Sequence, residues 1–311
     1  MISQDKLLLD EKLHIFLLGS GGPMNNDTRV ASSIAIIAGG ELLLFDVGPG
    51  SYRNLDIMRL PSAALSAIFL THFHSDHIGD LGEANMLSWV NGRNKPLQVF
   101  GPEGVEKVVE GFKQAYELDT GYRIAHHGKE ILSLENSKMM SKPILLETPD
   151  ELKLCLSHKG LEVYAFEVDH SPIKPAFGYR IEYKGNIVVI TGDTNKTPNL
   201  VTHCQEADIL FADAIAYEMI NNLVRGAKKL KYNRFAKILT DIQNYHMNPP
   251  TAAILAKEAN VKKLVISHIT PPLPNEKTEA LYLKGLDEIF EGEILLGKDC
   301  MKFKLNPKPK Y

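Results

Sequence analysis

Four side chains of the kinds that can bind metal ions, His72, His74, Asp76 and His77, stand within six residues of one another in this chain of 311. They belong to the heptapeptide Thr71-His72-Phe73-His74-Ser75-Asp76-His77, which follows directly on the apolar residues 67–70. In extended backbone His72 and His74 project to the same side. Asp76 and His77 come where the chain turns ahead of Gly79, so all four can converge on one small volume. Neutral imidazole with carboxylate suits Zn2+, and also Fe or Mn2+. The alternative, a solvated polar turn, requires four independent coincidences of residue type.

Four ligands so closely spaced cannot close a site for two metals, so further donors must arrive from elsewhere. Three candidates each follow an apolar stretch that reads as a buried strand. They are His170 after residues 161–168, Asp193 after 187–190 in Thr191-Gly192-Asp193-Thr194, and His268 after 264–267. Taken singly, each reads as a polar residue at a strand end. Their shared placement carries the weight, because strand ends along one sheet edge gather where a site can form.

The rest of the chain supports such an edge. Short strands are predicted at 14–18, 33–37, 41–46, 67–70, 97–100, 161–168, 178–183, 186–190, 209–212 and 264–267. Gly39-Gly40 and Lys184-Gly185 mark hairpin turns. Helices are predicted at 105–116, 219–245, 250–259 and 278–290, with Gly285 the weak point of the last. Hairpins in both halves, with helices between, imply an α/β fold of two mixed sheets packed face to face and helices outside. Residues 1–311 read as a single domain. Residues 129–153, with Ser137, Ser141, Pro143 and Pro149, read as a loop or mobile cover, and 302–311 as a frayed tail.

Composition argues against several function classes. The formal net charge of −3 offers no global field for nucleic acid or an anionic membrane. No apolar run approaches the ~18 residues that span a bilayer. Asp10, Glu11 and Lys12 interrupt the apolar N-terminal residues, against a secretory signal. Cys155, Cys204 and Cys300 form no CxxC pair, which fits a reducing compartment. We expect a cytoplasmic protein with no membrane partner. His14, His158 and His203 lack ligand spacing and read as ordinary structural residues, and His126-His127 as a loop or pocket rim.

The run His72-Phe73-His74-Ser75-Asp76-His77 resembles the H-x-H-x-D-H signature of the metallo-β-lactamase superfamily. The likeness spans nearly the whole chain. Leu18-Gly19-Ser20-Gly21-Gly22-Pro23, Phe45-Asp46-Val47-Gly48, Val168-Asp169-His170, Thr191-Gly192-Asp193-Thr194 and Ser267-His268 fall in the family's order. Within the superfamily the chain is similar to the ribonuclease Z and arylsulfatase/phosphodiesterase branch, on residues 170–180, on 245–256 and on 262–271. The resemblance implies a four-layer αβ/βα sandwich and a binuclear site. It implies that His72, His74 and His170 hold one divalent cation, that Asp76, His77 and His268 hold the other, and that Asp193 bridges both. The cations implied are two Zn2+ ions, with Mn2+ or Fe as alternatives. Such a pair lowers the pKa of a shared water toward ~7, and Asp76 would hold that nucleophile in line. His246 would face the scissile group as proton donor, Asp213 would support His246, and Asp46 would orient a ligand imidazole.

The reaction implied is hydrolysis of a phosphodiester or related ester. A tRNA 3′-end endonuclease and an arylsulfatase-like hydrolase are the alternatives. The partners implied are an anionic or ester small molecule, or RNA, and relatives are often homodimers. Two departures stand out. Phe211-Ala212-Asp213-Ala214 occupies the place of the His-Glu-Ala-Thr run usual in ribonuclease Z, and the chain shows no glycine-rich basic arm. Two rivals fit less well: a di-iron oxidoreductase of this fold carries Glu where His74 stands, and a non-catalytic binding protein would have lost ligands. One charge feature lies outside the resemblance. Residues 223–239 carry Arg225, Lys228, Lys229, Lys231, Arg234 and Lys237 with no acid. We expect Lys229 and Lys231 to line the cleft and attract an anionic substrate, rather than merely solvate a helix face.

Overall fold

Every residue of the first strand, Leu13–Gly19 (β1), is buried in the computed structural model, which describes residues 4–309. Successive side chains leave a strand on opposite faces, so burial throughout means a sheet covered on both sides. Leu13, Ile15 and Leu17 join a core shared with Val163, Phe177, Ile181 and Phe211, while Phe16 and Leu18 join another with Tyr52, Leu55, Leu81 and Val109. The first core lies between two sheets, and the second lies between a sheet and its helices.

Six strands follow one another into the first sheet: β1, Ser33–Ala38 (β2), Glu41–Phe45 (β3), Leu65–Phe69 (β4), Leu97–Gly101 (β5) and Met139–Pro143 (β6). Seven build the second: Lys153–His158 (β7), Leu161–His170 (β8), Ile173–Tyr183 (β9), Asn186–Ile190 (β10), Ile209–Ile215 (β11), Lys263–Thr270 (β12) and Glu293–Leu296 (β13). Met301–Leu305 (β14) then returns to the first sheet beside β1. Each sheet is mixed in the same way. One side runs antiparallel, through β1–β2–β3 and β7–β8–β9–β10, and the other runs parallel, through β3–β4–β5–β6 and β10–β11–β12–β13. A third core, with Leu200, Ala252, Leu255 and Ala256 over Leu210, Ala212 and Leu264, covers the outer face of the second sheet. The four layers of the αβ/βα sandwich expected from the sequence are therefore present.

Both predicted hairpin turns form. Ala38 pairs with Glu41 across Gly39-Gly40, and Tyr183 with Asn186 across Lys184-Gly185. All four turn residues have positive φ, which is the two-residue turn that matches strand twist.

Elsewhere the structure corrects the sequence reading. Residues 129–153 are not one loop, because β6 lies inside the segment and extends the parallel side of the first sheet. The tail is not frayed over 302–309. β14 pairs with β1, and the Lys308 amide donates to the Lys184 carbonyl at 3.0 Å. Residues 310–311 lie outside the described residues. The predicted helix 219–245 is two helices, Tyr217–Lys229 and Asn233–Asp241, folded back at Lys231, which has φ 62°. The predicted helix 278–290 runs instead over Glu276–Leu283, opened by an Asn275 cap and ended ahead of Gly285 at φ 77°. No helix among the described residues is long and apolar enough to cross a membrane.

Candidate metal centre

The carboxyl ends of β3, β4, β10, β11 and β12 face one edge of the sandwich, where open parallel sheets place their ligand sites. Asp46 follows β3, the 71–77 segment follows β4, His170 closes β8, Asp193 follows β10, and Asp213 and His268 lie near the ends of β11 and β12. Two bonds from the second sheet clamp the start of the histidine segment. The Tyr179 hydroxyl donates to the Leu70 carbonyl at 2.6 Å, and the Phe177 amide to the Thr71 carbonyl at 2.9 Å. A one-turn helix, Ser75–Ile78, then swings Asp76 and His77 back toward His72 and His74.

All seven donors named by the sequence meet here. His72 Nε2 lies 2.9 Å from His74 Nδ1, and His170 Nε2 lies 3.5 Å from the same atom. On the other side His268 Nε2 is 3.2 Å from Asp76 Oδ2, and His77 Nε2 is 3.6 Å from it. Asp193 Oδ2 sits between the two groups, 3.8 Å from His72 Nε2, 3.3 Å from His77 Nε2 and 3.4 Å from His268 Nε2. Within each set, His72–His74–His170–Asp193 and Asp76–His77–His268, all donor atoms fall within 4.8 Å of one another.

At His77 and His170 the nitrogen facing away from the cluster is held by the fold, whereas His268 Nδ1 is buried without a hydrogen-bond partner among the described residues. His77 Nδ1 donates to Asp46 Oδ2 at 2.7 Å, and Asp46 is itself fixed by the Thr71 amide and hydroxyl at 2.8 and 2.9 Å. His170 Nδ1 donates to the Tyr245 carbonyl at 3.0 Å. Each outer bond presents the opposite nitrogen inward as a lone pair, the arrangement of metal-ligating imidazoles. Asp46 and His268 reach the site from left-handed backbone, φ 53° and 52°, at a cost of about 1–3 kcal/mol each.

At His72 and His170 the electrostatics favour the neutral ring that a metal ligand needs. Burial, followed by the neighbouring His77, pushes His72 well below the ordinary imidazole value. Burial, with His246 and His74 adding to it, pushes His170 down to about 4, so both rings are neutral donors at pH 7. Burial alone would raise the Asp193 carboxyl, yet His268, His77 and His246 hold it well below the carboxylate range. Burial is the largest single influence on His77 and His268 and opposes their charge, but Asp193 together with Asp46 at His77, and together with Asp76 at His268, outweighs it and raises both. A divalent cation would displace those protons. His77 Nε2 and Asp193 Oδ1 are also buried without a hydrogen-bond partner among the described residues. Leaving such atoms unpartnered costs about 1–3 kcal/mol each, and cations at the centre of the cage would remove that cost. The donor set, three imidazoles and a shared carboxylate against two imidazoles and two carboxylates, fits a pair of divalent ions.

The family model for the β-lactamase superfamily domain matches residues 42–269, which spans every one of these donors. The ribonuclease Z of Mycobacterium marinum (strain ATCC BAA-535 / M) is 31% identical over 300 residues, covering 95% of this chain and 100% of that protein. The chain belongs to the metallo-β-lactamase superfamily, in its ribonuclease Z branch. Solved structures agree on the fold. The metallo-β-lactamase fold protein YhfI of Bacillus subtilis superposes with a TM-score of 0.67 at 18% identity, covering 95% of this chain and all of its own. The short form of human tRNase Z superposes at 0.67 with 23% identity, covering 94% and 99%. With this membership and the cage of His and Asp donors, the chain is a metal-dependent hydrolase.

Around this metallo-β-lactamase centre the remaining predicted residues divide. His246 belongs to it. The ring is buried, Nδ1 lies 2.8 Å from Asp213 Oδ2, and Nε2 faces Asp193 Oδ2 at 4.0 Å. Burial pushes the Asp213 carboxyl up to about 6, with His246 partly offsetting it. His14 pairs with Asp10 at 3.3 Å, His158 with Glu41 at 3.4 Å, and His203 stacks on Phe166, so none joins the cluster. His126 and His127 are not in a loop but are exposed on the last turn of the Val105–His127 helix. Beside the cage lies a hollow of about 450 Å³, lined by His74, His170, Pro172, Ile173, Asn244 and Tyr245. Neither Lys229 nor Lys231 lines it. Both are exposed where the two helices of 217–241 turn back on each other, Lys229 ending the first helix and Lys231 in the turn.

Some contributors were invisible in the sequence. The Tyr245 carbonyl is a backbone group and leaves no trace in residue type. The Tyr217 hydroxyl, which donates to the His246 carbonyl, had no spacing to mark it. Gly22 had a signal in the glycine-rich Gly19–Pro23 turn. A Cβ there would meet Thr270 Oγ1 at 2.6 Å and His268 Cε1 at 2.9 Å, so only glycine lets this loop rest against the ligand.

Proposed function

We propose that this protein hydrolyses phosphodiester bonds in RNA with two Zn2+ ions as its cofactor. The observation that carries the reading is the single cage formed by His72, His74, His170, Asp193, Asp76, His77 and His268, with the His246–Asp213 pair aimed into it. The full-length likeness to ribonuclease Z supports RNA over a small ester.

The cations, when bound, supply an acidified water at neutral pH and a sink for charge on the phosphoryl oxygens. The chain's own side chains supply the rest. Asp76 presents a carboxylate oxygen at the mouth of the cage, where it orients the attacking water. His246 holds a proton with Asp213 and delivers it from Nε2 to the departing sugar oxygen. Asp213 keeps the ring oriented through Nδ1 and steadies the imidazolium. Tyr245, Pro172 and Ile173 form the wall of the adjoining hollow against which a base or sugar packs.

The test sets a precursor tRNA carrying a 3′ trailer beside bis(p-nitrophenyl) phosphate, with the metal content of the purified protein measured on the same sample. Cleavage of the RNA by protein holding about two zinc ions per chain is expected. Turnover of the aryl diester with intact RNA would overturn the RNA assignment and leave a small-molecule esterase.

A further inference from the structure

We infer that the helical hairpin of residues 217–241 is a polynucleotide-binding arm that grips RNA away from the metal cage. This inference rests on the RNA reading above. Its two helices pack on each other through Ile220, Val224, Ala227, Ala236 and Leu239, a small core separate from the three of the sandwich. Nearly everything else on it is exposed. Arg225, Lys228, Lys229, Lys231 and Arg234 have no acidic partner among the described residues, and only Lys237 is neutralised, by Asp241 at 2.6 Å. Tyr232 and Phe235 stand among these cations at 63% and 44% exposure, too open to be part of a core. With Lys231, Asn233, Arg234 and Ile238 they border an open notch at the tip.

Unneutralised cations interleaved with exposed aromatic rings match a sugar–phosphate backbone with bases that stack. A second copy of this chain fits less well, because a symmetric contact would press like charge on like charge. A chain whose net charge is −3 has gathered five unpaired cations on one protrusion, which a merely solvated surface does not require.

The roots of the arm tie it to the chemistry. Tyr217, at the start of the first helix, holds the His246 carbonyl. Asp241 and Asn244, at the end of the second, line the hollow beside His74 and His170. The Gln243 amide donates to Asn221 at 3.1 Å and locks the two roots together. A helix of 13 residues reaches about 20 Å, so a small diester in the cage cannot touch the tip, whereas a polynucleotide can.

The test measures binding apart from cleavage. Metal-loaded full-length His246→Ala protein, which keeps all seven donors and cuts the probe slowly enough for binding to be read first, is titrated into fluorescein-labelled precursor tRNA and followed by anisotropy at several salt concentrations. Adding Lys228→Gln, Lys229→Gln, Lys231→Gln and Arg234→Gln should raise Kd about tenfold or more. It should also flatten the slope of log Kd against log salt by about 3, since each lost phosphate contact removes about 0.7–0.9. Tyr232→Ala with Phe235→Ala should weaken binding with the slope unchanged. Metal content and melting temperature confirm that each variant is folded. An unaltered Kd and slope overturn the arm, as does loss of a dimer on sizing without loss of RNA affinity. RNA that is bound through the arm but never cut by the parent protein supports the arm and removes the ribonuclease reading. RNA that is cut by a protein whose affinity ignores the four substitutions removes the arm and leaves that reading intact.

Discussion

His246 and Asp213 form a buried pair whose value depends on what leaves. An imidazole that protonates a departing sugar oxygen matters greatly when that oxygen is basic, and little when the leaving group is an acidic phenol. His246→Ala should therefore lower kcat on RNA by about 10²–10⁴ with KM little changed, and lower turnover of an aryl diester far less. Asp213→Asn should show the same pattern in smaller measure. Equal losses on both substrates would mean that His246 merely supports the cage. This division of roles was only half legible in the sequence. His72, His74, Asp76 and His77 declared themselves by spacing, because four metal-binding side chains in six residues have few other uses. By spacing alone His170, Asp193 and His268 were legible only as polar residues after apolar strands, and it was the family resemblance that made them ligands. The outward-facing partners were harder still, since the Thr71 amide and the Tyr245 carbonyl act through the backbone.

At the level of elements, the strands that escaped the sequence reading lie at sheet edges, where half of the burial signal is missing. β6 ends in Pro143, and β7 alternates irregularly because one register step is skipped beside β8. β14 did carry a signal, since Met301, Phe303 and Leu305 alternate with Lys302 and Lys304, the lysine pattern that protects an edge. What anchors the chain beyond it is Asp208. Its carboxylate accepts from the Ile187 amide at 2.8 Å, from Lys262 at 2.7 Å and from Lys308 at 2.7 Å. Burial would raise this carboxyl, but Lys262, Lys308 and the amide together hold it below the ordinary value. A carboxyl depressed in the folded state stabilises above its unfolded value, about 3.9, and that stability is lost as pH falls through the folded value. Asp208→Asn should therefore cost about 1–2 kcal/mol in urea unfolding at pH 7. The gap between variant and parent should shrink as pH is lowered below about 4. A pH-independent gap would mean that Asp208 contributes through packing alone.

For the molecule as a whole, the cage is where the two sheets are joined by chemistry rather than by apolar contact. The first sheet brings Asp46, His72, His74, Asp76 and His77, and the second brings His170, Asp193, Asp213 and His268. The buried atoms that cations would satisfy lie at the open end of the sandwich, and the apolar core between the sheets, from Leu13 to Val265, is built from other residues. Metal should therefore act as a staple on a sandwich already folded, not as the condition for folding. An ion at a thousand times its Kd stabilises by about 4 kcal/mol, which for a chain of this size moves Tm by on the order of 6 °C. Chelation should lower Tm by that amount without unfolding the protein at 25 °C. Adding zinc back should restore it in the parent but not in Asp193→Ala, whose missing carboxylate touches both donor sets. Hydrogen exchange should locate the change, with protection lost at the carboxyl ends of β4, β10 and β12 and kept along β1, β2 and β9. A Tm indifferent to chelation would show that the side chains satisfy one another without a cation. Unfolding on chelation would show instead that the interface between the sheets cannot hold without its staple.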